Sequence, residues 1–273
     1  MQKYEFKPIG FIRCSEKYKF EAPRQSVFAG RSGYVDLLPE FGGDAIADLE
    51  GFERIWIIFC FHLNISSGWK SRVAPPFTPE KRQYSVFATR SPYRPNQIGM
   101  SCVRLCGLDG NKLLLENIDM LDGTPVLDIK PYIPEADAFP DAAAGWRDKL
   151  DIEHPEEWTL EFSDLFLEKN AFLSEMGVPD LVNFCRIQLK YNPLDRKRKR
   201  IYISGSGSAE LGCRTWRILF SCDESYRTVR VLNVRSNYTA DELADVEQDR
   251  YNDKEIHRRF VTEFSQREDG SSV

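Results

Sequence analysis

Short apolar runs, each cut off by Gly, Pro or Asp, recur from residue 4 to about residue 135. Their near-alternation predicts strands over Phe6–Arg13, Tyr34–Leu38, Ile55–Phe61, Ser85–Ala88, Ser101–Leu108, Lys112–Asp119 and Val126–Tyr132. Leu108-Asp109-Gly110-Asn111 lies between two of these and reads as a hairpin turn. Arg54–Phe61 is apolar on both faces, which predicts a central strand buried on both sides. Ala45–Glu50 predicts one short helix. Many short strands with frequent turn residues point to a barrel or a sandwich.

The period changes further along. Residues 134–156 are rich in Ala, Asp, Pro and Glu and read as a connector. Asp164–Met176 has helical spacing and stops at Gly177; Pro179–Leu189 reads as a second helix with proline near its first turn. Ile201–Ser204, Arg214–Ser221 and Thr228–Val234 resemble strands. From Thr239 to about Ser265 the pattern is a charged helix, and Thr239 with Glu242 fits a capping box. Its apolar face is thin, so it reads as an appendage or a dimer contact. The expected architecture is mostly β: a barrel over 1–145, a small α+β domain over 157–238 and a helical tail over 239–273.

Composition narrows the function. Hydrophobic residues make up 42% of the 273 and charged residues 29%, which is ordinary globular composition and excludes wholesale disorder. No apolar run is long enough to span a bilayer, and MQKYEFKPIG has no apolar signal region, so a cytoplasmic protein is expected. Seven scattered cysteines without a CxxC pair, and only three histidines, argue against a disulfide framework and against a metal site. The net charge of −5 argues against a nucleic-acid partner, except that Arg196-Lys197-Arg198-Lys199-Arg200 places five cations in a row beside Ile201-Tyr202-Ile203. That run, next to the loop Ser204–Ser208, suits a projecting hairpin that meets a phosphate backbone. Glu40-Phe41-Gly42-Gly43-Asp44 lacks the spaced glycines of a Rossmann loop and reads as a turn.

Candidate chemistry gathers in four further places. Arg90-Ser91-Pro92-Tyr93-Arg94-Pro95-Asn96 sets two arginines between prolines that restrict the backbone. Such a loop suits bidentate binding of a carboxylate or phosphate. Asp119, Asp122 and Asp128 lie around the turn Leu121–Thr124. Asp122 suits turn capping, whereas Asp119 and Asp128 sit in apolar strands and need partners if buried. Glu21–Gln25 is an early loop with one cation and one amide. His62 follows the strand expected to be most buried, at a rim where loops collect function.

Taken together, ATRSPYRPNQIGMS, LDGTPVLDIKPYIPEAD, the early PRQ and the strand ending Phe61-His62 resemble the TsaA-like, or TrmO-like, tRNA methyltransferases. The resemblance covers residues 4–140 strongly and 160–235 more loosely. It implies a non-Rossmann β-barrel that binds S-adenosylmethionine and methylates N6 of threonylcarbamoyladenosine beside the tRNA anticodon. It also implies a homodimer with the cofactor near the subunit interface. Carried over residue by residue, it assigns the cofactor to Pro23, Arg24, Gln25, His62, Leu63, Arg90, Met100, Glu116, Asn117, Ile118 and Asp119. Arg94 and Arg196–Arg200 fall to RNA or substrate, and His62 and Asp122 are the candidate proton acceptors.

The chain departs from the family pattern twice. Asn192-Pro193-Leu194-Asp195 stands where many members have Asp-Pro-Arg-Pro. Asn96-Gln97-Ile98-Gly99 stands where many have Asn-Pro-Ile-Gly, which predicts a less rigid loop at Gln97. Two other readings fit the same residues: a non-catalytic RNA-binding or ligand-sensing barrel, and a methyltransferase with a different substrate.

Overall fold

Alternation of apolar and polar residues shapes the first half of the chain, as seen in a computed structural model that describes residues 4–19, 21, 31–75, 82–149, 157–196, 199–203, 208–245, 249 and 251–269. The chain forms two units, Met1–Glu153 and His154–Val273. The strands of the first are β1 (Gly10–Arg13), β2 (Ser32–Leu37), β3 (Arg54–Cys60), β4 (Arg72–Val73), β5 (Tyr84–Ser85), β6 (Ile98–Asp109), β7 (Lys112–Glu116) and β8 (Pro125–Pro131). β4 pairs with β5, and the other six close into a barrel in the order β1-β2-β7-β6-β3-β8. Every pairing in the barrel is antiparallel. Ile12, Val35, Ile55, Ile57, Val103 and Leu113 fill its core and are fully buried.

Three expectations change here. β3 is central, bonded to β6 and β8, but only Ile55, Ile57 and Phe59 are buried, while Trp56, Ile58 and Cys60 are half-buried. A barrel wall has one inside, and the outer row of β3 faces away from it. The strand expected over Ser85–Ala88 pairs only through Tyr84–Ser85; Val86–Ala88 is a 3-10 turn whose Val86 carbonyl accepts Arg94 Nη1 at 3.2 Å. The helix expected over Ala45–Glu50 is instead two single 3-10 turns, Gly43–Ala45 and Ala47–Leu49. The hairpin at Gly110-Asn111 forms, with Asp109 opposite Lys112 and Gly110 at φ +57°. β7 stops at Glu116 because Asn117 turns to φ +59°.

The connector is partly ordered by α1 (Pro134–Asp137). Further on, Trp146 stacks on Tyr84 with ring centres 4.0 Å apart and donates to the Ala88 carbonyl at 2.8 Å.

In the second unit, β9 (Thr159–Phe162) leads into α2 (Asp164–Glu175) and α3 (Leu181–Leu189). Ser163 caps α2 by accepting from Phe166 N, and Asp180, not Pro179, caps α3 by accepting from Val182 N. A five-stranded sheet follows, of β10 (Ile201–Ile203), β11 (Ala209–Cys213), β12 (Trp216–Asp223) and β13 (Thr228–Ser236), with β9 alongside β13 as the one parallel pair. β9 and β11 were not expected from the sequence; both are short, and Ala209 and Gly212 are poor strand formers. The strand expected from Arg214 begins at Trp216, because Arg214 sits in the turn at φ +50°.

The charged tail is two helices, α4 (Ala240–Ala244), with the Thr239–Glu242 capping box, and α5 (Lys254–Asp269). α5 is not an appendage to its unit. Phe260 and Phe264 lie in the same core as Trp216, Phe166 and Phe220. His257 is fully buried, stacked on Trp216 at 3.6 Å, and bonded to Ser236 Oγ and Thr215 Oγ1. Buried Lys169 lies over both Phe260 and Phe264, at 5.5 and 5.1 Å. Among the described residues no helix is long and apolar enough to cross a membrane. Phe260→Ala should destabilise the chain by about 3–5 kcal/mol, as core Phe→Ala changes do; urea unfolding followed by tryptophan fluorescence measures it, and a shift below about 1 kcal/mol would return α5 to the surface.

Candidate active site

Neighbouring barrel strands run in opposite directions. The C-termini of β1, β3 and β7 and the N-termini of β2, β6 and β8 therefore open on one end. That end collects Cys14–Glu21, Arg31, His62–Asn64, Gln97 and Asn117–Thr124, segments that are far apart in sequence. Phe61 N bonds to the Gln97 carbonyl at 2.8 Å, tying the His62 turn to the Arg90–Gln97 loop. Asp122 N bonds to the Glu16 carbonyl at 2.7 Å, and Asp122 Oδ1 accepts from Cys14 N at 3.2 Å. The carboxylate of Asp122 thus holds β1's exit and does not simply cap its own turn.

Beneath this rim lies a buried ion pair that sequence reasoning missed. Arg31 Nη1 is 3.0 Å from Glu16 Oε2, with both side chains less than a tenth exposed. Arg31 also donates through Nε and Nη2 to the Ile118 carbonyl at 3.2 and 3.0 Å. Its planar fork thereby fixes the strand that leads into Asp119. Ser101 Oγ donates to Asp119 Oδ1 at 2.7 Å, the partner that a carboxylate between apolar residues needs. Cys14 is half-buried among carbonyls and acids, and its thiol pKa is pushed up to about 12 by desolvation first and by Glu16 next. A thiol held neutral in this way is not a nucleophile.

The other expected residues separate by exposure. Arg90 is exposed and, among the described residues, makes no hydrogen bond or ion pair. Leu63 and Met100 are apolar and 40% and 56% exposed. Ile118 is a core residue with no exposed surface, so it acts on the site only through its backbone. Glu116 pairs with Arg104 at 2.9 Å across β6 and β7. Asp128 pairs with Lys130 at 2.9 Å, both half exposed. Arg94 gives Nη1 to the carbonyls of Val86 and Thr89, at 3.2 and 2.8 Å, and lies over Phe87. That nitrogen holds its own loop together. Pro23, Arg24 and Gln25 fall outside the described residues. A cavity of about 430 Å³ opens between Gly51–Arg54 and Tyr132–Glu135, at the opposite end of β3 and β8. None of the expected site residues lines it, and the convergence of polar groups at the first end is the better guide to chemistry.

In the second unit Arg196 and Arg200 are exposed, whereas Lys199 Nζ is bonded to the carbonyls of Tyr191 and Asn192. Lys199 thus locks the Asn192–Asp195 turn, where Asn192 sits at φ +48°. Lys197 and Arg198 fall outside the described residues.

Relatives carry the same architecture. Residues 11–138 match the family model of the tRNA-methyltransferase O N-terminal domain. Over 206 residues the chain is 38% identical to a tRNA (adenine(37)-N6)-methyltransferase of Escherichia coli K12, covering 73% of this chain and 86% of the relative. The chain belongs to the TrmO family. It is also 44% identical over 185 residues to a putative S-adenosylmethionine-dependent methyltransferase, RcsF, of Pseudomonas aeruginosa, covering 66% of this chain and 79% of the relative. A crystal structure of TrmO from P. aeruginosa matches 86% of this chain and 98% of its own, with 32% identity and a TM-score of 0.63.

Membership sharpens one departure. Gln97 has φ +44°, donates its N–H to the Arg94 carbonyl at 3.3 Å and accepts from Phe61 N. Proline can adopt neither that φ nor that donor role. In this chain position 97 is therefore a turn residue that proline could not replace. Gln97→Pro should lose more than about 1 kcal/mol. Gln97→Gly should stay near wild type, because relief of a left-handed residue, about 1–2 kcal/mol, offsets glycine's greater entropy. Urea midpoints of the two variants check this, and equal losses in both would refute it.

His62 is half-buried on the rim, and burial holds its pKa below the ordinary 6.5, with the charge of Lys19 adding to the effect. The folded state thus favours neutral imidazole. Its contribution to stability is present above pH 6.5 and is lost as pH falls through the depressed value. A neutral imidazole is ready to accept a proton at pH 7. Activity that uses His62 should be level from pH 7 upward and fall only below 6.5. His62→Gln should lose that acid limb; retention of the same limb would show that another group titrates.

Proposed function

We propose that this chain transfers a methyl group from S-adenosylmethionine to N6 of adenine 37 in tRNA, on an adenosine that already carries the threonylcarbamoyl group. The observation that carries the reading is the gathering of Arg90's loop, His62, Met100, Asp119 and Asp122 at one end of a closed barrel, in a chain that shares a family with adenine-37 methyltransferases. The donor groups fit the cofactor's chemistry. Exposed Arg90 suits its carboxylate, Asp119, oriented by Ser101, suits its ammonium or ribose hydroxyls, and exposed Leu63 and Met100 suit an adenine face. Pro23, Arg24 and Gln25 complete the set. When bound, S-adenosylmethionine supplies an electrophilic methyl carbon on a sulfonium.

The chain's own residues do the rest. The N6 nitrogen is conjugated and weakly nucleophilic, so its proton needs an acceptor as the new bond forms. His62 serves this role better than Asp122, whose Oδ1 is engaged by Cys14 N. Alignment supplies the larger share of the acceleration, because holding two reactants in line replaces a bimolecular encounter. Rigidity at the rim comes from Arg31–Glu16, Phe61–Gln97 and the Trp146 clasp on Ala88. The threonylcarbamoyl carboxylate gives Arg94, whose Nη1 holds the loop in place, an anion of matching geometry.

A homodimer with the cofactor near its interface is part of the same proposal. Its support is the outer row of β3 and β6, where half-buried Ile58 stands opposite Met100 and Trp56 stands opposite Cys102. An apolar row on the outside of a barrel wall suits a second copy. This would also put Met100 where a neighbouring subunit closes over the cofactor. Cytoplasmic location follows from the tRNA substrate.

Calorimetry with S-adenosylmethionine should show binding by the wild type and at least tenfold weaker binding by Arg90→Ala, about 1.4 kcal/mol. Mass spectrometry of tRNA nucleosides from cells with and without the gene should show methylated threonylcarbamoyladenosine only when the gene is present. Absence of cofactor binding would overturn the enzyme reading, and an unchanged nucleoside profile would overturn the substrate.

A further inference from the structure

The helices of the second unit cover one face of its sheet. Ile201, Leu211, Ile218, Phe220, Val229 and Val231 point into the core shared with the helices. On the other face lie Tyr202, Glu210, Arg217, Arg230 and Arg235, with Gly212 among them. The strand register puts Gly212 opposite Arg217 and Arg217 opposite Arg235. A Cβ on residue 212 would sit 2.8 Å from Arg217 Nη1 and 3.6 Å from Arg200 Nε. Glycine there leaves the floor on which two guanidinium groups lie side by side.

Among the described residues no acid pairs with Arg217. Glu210 is taken by Arg235, with Nη2 at 2.8 and 3.0 Å from its two oxygens. Arg217 is half-buried, and among the described residues it makes one long hydrogen bond, to the Trp216 carbonyl at 3.4 Å, and no ion pair. Its guanidinium stacks over Tyr202 at 4.7 Å, and Tyr202 is 47% exposed. Burial, and then the charges of Arg200 and Arg235, pull the pKa of Arg217 below its ordinary value. A half-buried cation facing like charge is relieved by an anion that bridges the pair.

We infer that Arg200 and Arg217, laid over Gly212 beside Tyr202, form a binding cleft for a phosphodiester of the RNA substrate. Two planar forks suit one phosphate held bidentately. The exposed ring next to them offers a platform for the attached ribose or base. Exposed Arg196 lies four residues before Arg200 in the same segment, and a row of cations suits a chain of phosphates better than a single free anion. This inference rests on the reading that the chain acts on tRNA, and it places part of the contact on the sheet face, not only on the basic run.

The test is tRNA binding by the full-length protein, measured by fluorescence anisotropy across a salt series, with the fold of each variant checked by thermal melting. Arg217→Ala should weaken binding about tenfold and lower the salt slope by about 0.7–0.9, the value for one lost phosphate contact. Arg217→Lys, which keeps the charge and loses the fork, should fall between. Arg230→Ala removes a cation that is paired with Glu161 at 3.1 Å on the same face and should leave affinity unchanged. Cofactor affinity should be the same in all of them. If the wild type binds tRNA and Arg217→Ala binds equally well, the cleft is wrong while the methyltransferase reading stands. An equal loss in Arg230→Ala would overturn it too, showing diffuse charge in place of a site. If inorganic phosphate binding depends on Arg217 and tRNA binding does not, the cleft holds a free anion and the inference fails. If the wild type binds no tRNA, the parent reading fails with it.

Discussion

The seam between β1 and β8 pairs Gly10 with Val126 and Phe11 with Pro125, and with those pairs a six-stranded sheet loses its free edges. On the other side of β1, Gly10 lets β2 come close, since a Cβ there would lie 2.6 Å from the Asp36 carbonyl. Closure also decides where chemistry can sit. In an antiparallel barrel each strand delivers its loop to one end or the other, so sequence-distant loops meet without any long crossover. His62, Gln97, Asp119 and Asp122 share an end for that reason alone.

Closure sets a second constraint, on the strand after Asn117. That segment leaves the ladder at a left-handed residue and must still be held. Arg31 does this with two bonds to one carbonyl and an ion pair to Glu16. Buried ion pairs of this kind add little net stability over an apolar substitute, yet breaking one by removing a single partner costs about 3–5 kcal/mol. The pair is thus better understood as fixing geometry than as stabilising the fold. It sets the backbone position from which Asp119 and Asp122 project.

Most of the first unit was legible because period-two alternation survives wherever one face of a strand is buried. Legibility failed where a different force acted. Ser85–Ala88 looks like a strand, but the Val86 carbonyl closes a turn with Thr89 N and accepts Arg94 Nη1. The outer row of β3 looks like core, and apolar composition alone does not distinguish an inside from a face awaiting a partner. In the second unit β9 and β11 are too short to show a period, and α5 hides the burial of His257, Phe260 and Phe264 behind a charged sequence. Arg31 and Trp146 gave no signal at all. Their roles depend on carbonyls 87 and 58 residues away in the chain.

Cations at the two sites divide in a way that sequence does not reveal. In the Arg90–Asn96 loop both arginines look available for an anion, but Arg94 is drawn into holding the loop and Arg90 is left outside. In the Arg196–Arg200 run Lys199 is drawn into the Asn192 turn, while Arg196 stays exposed. The division has one physical cause. A backbone carbonyl turned from its own ladder needs a donor, and the nearest long cation supplies it. A loop that displays a guanidinium at a fixed position must first have its carbonyls satisfied, so in each segment one cation gives a nitrogen to the backbone.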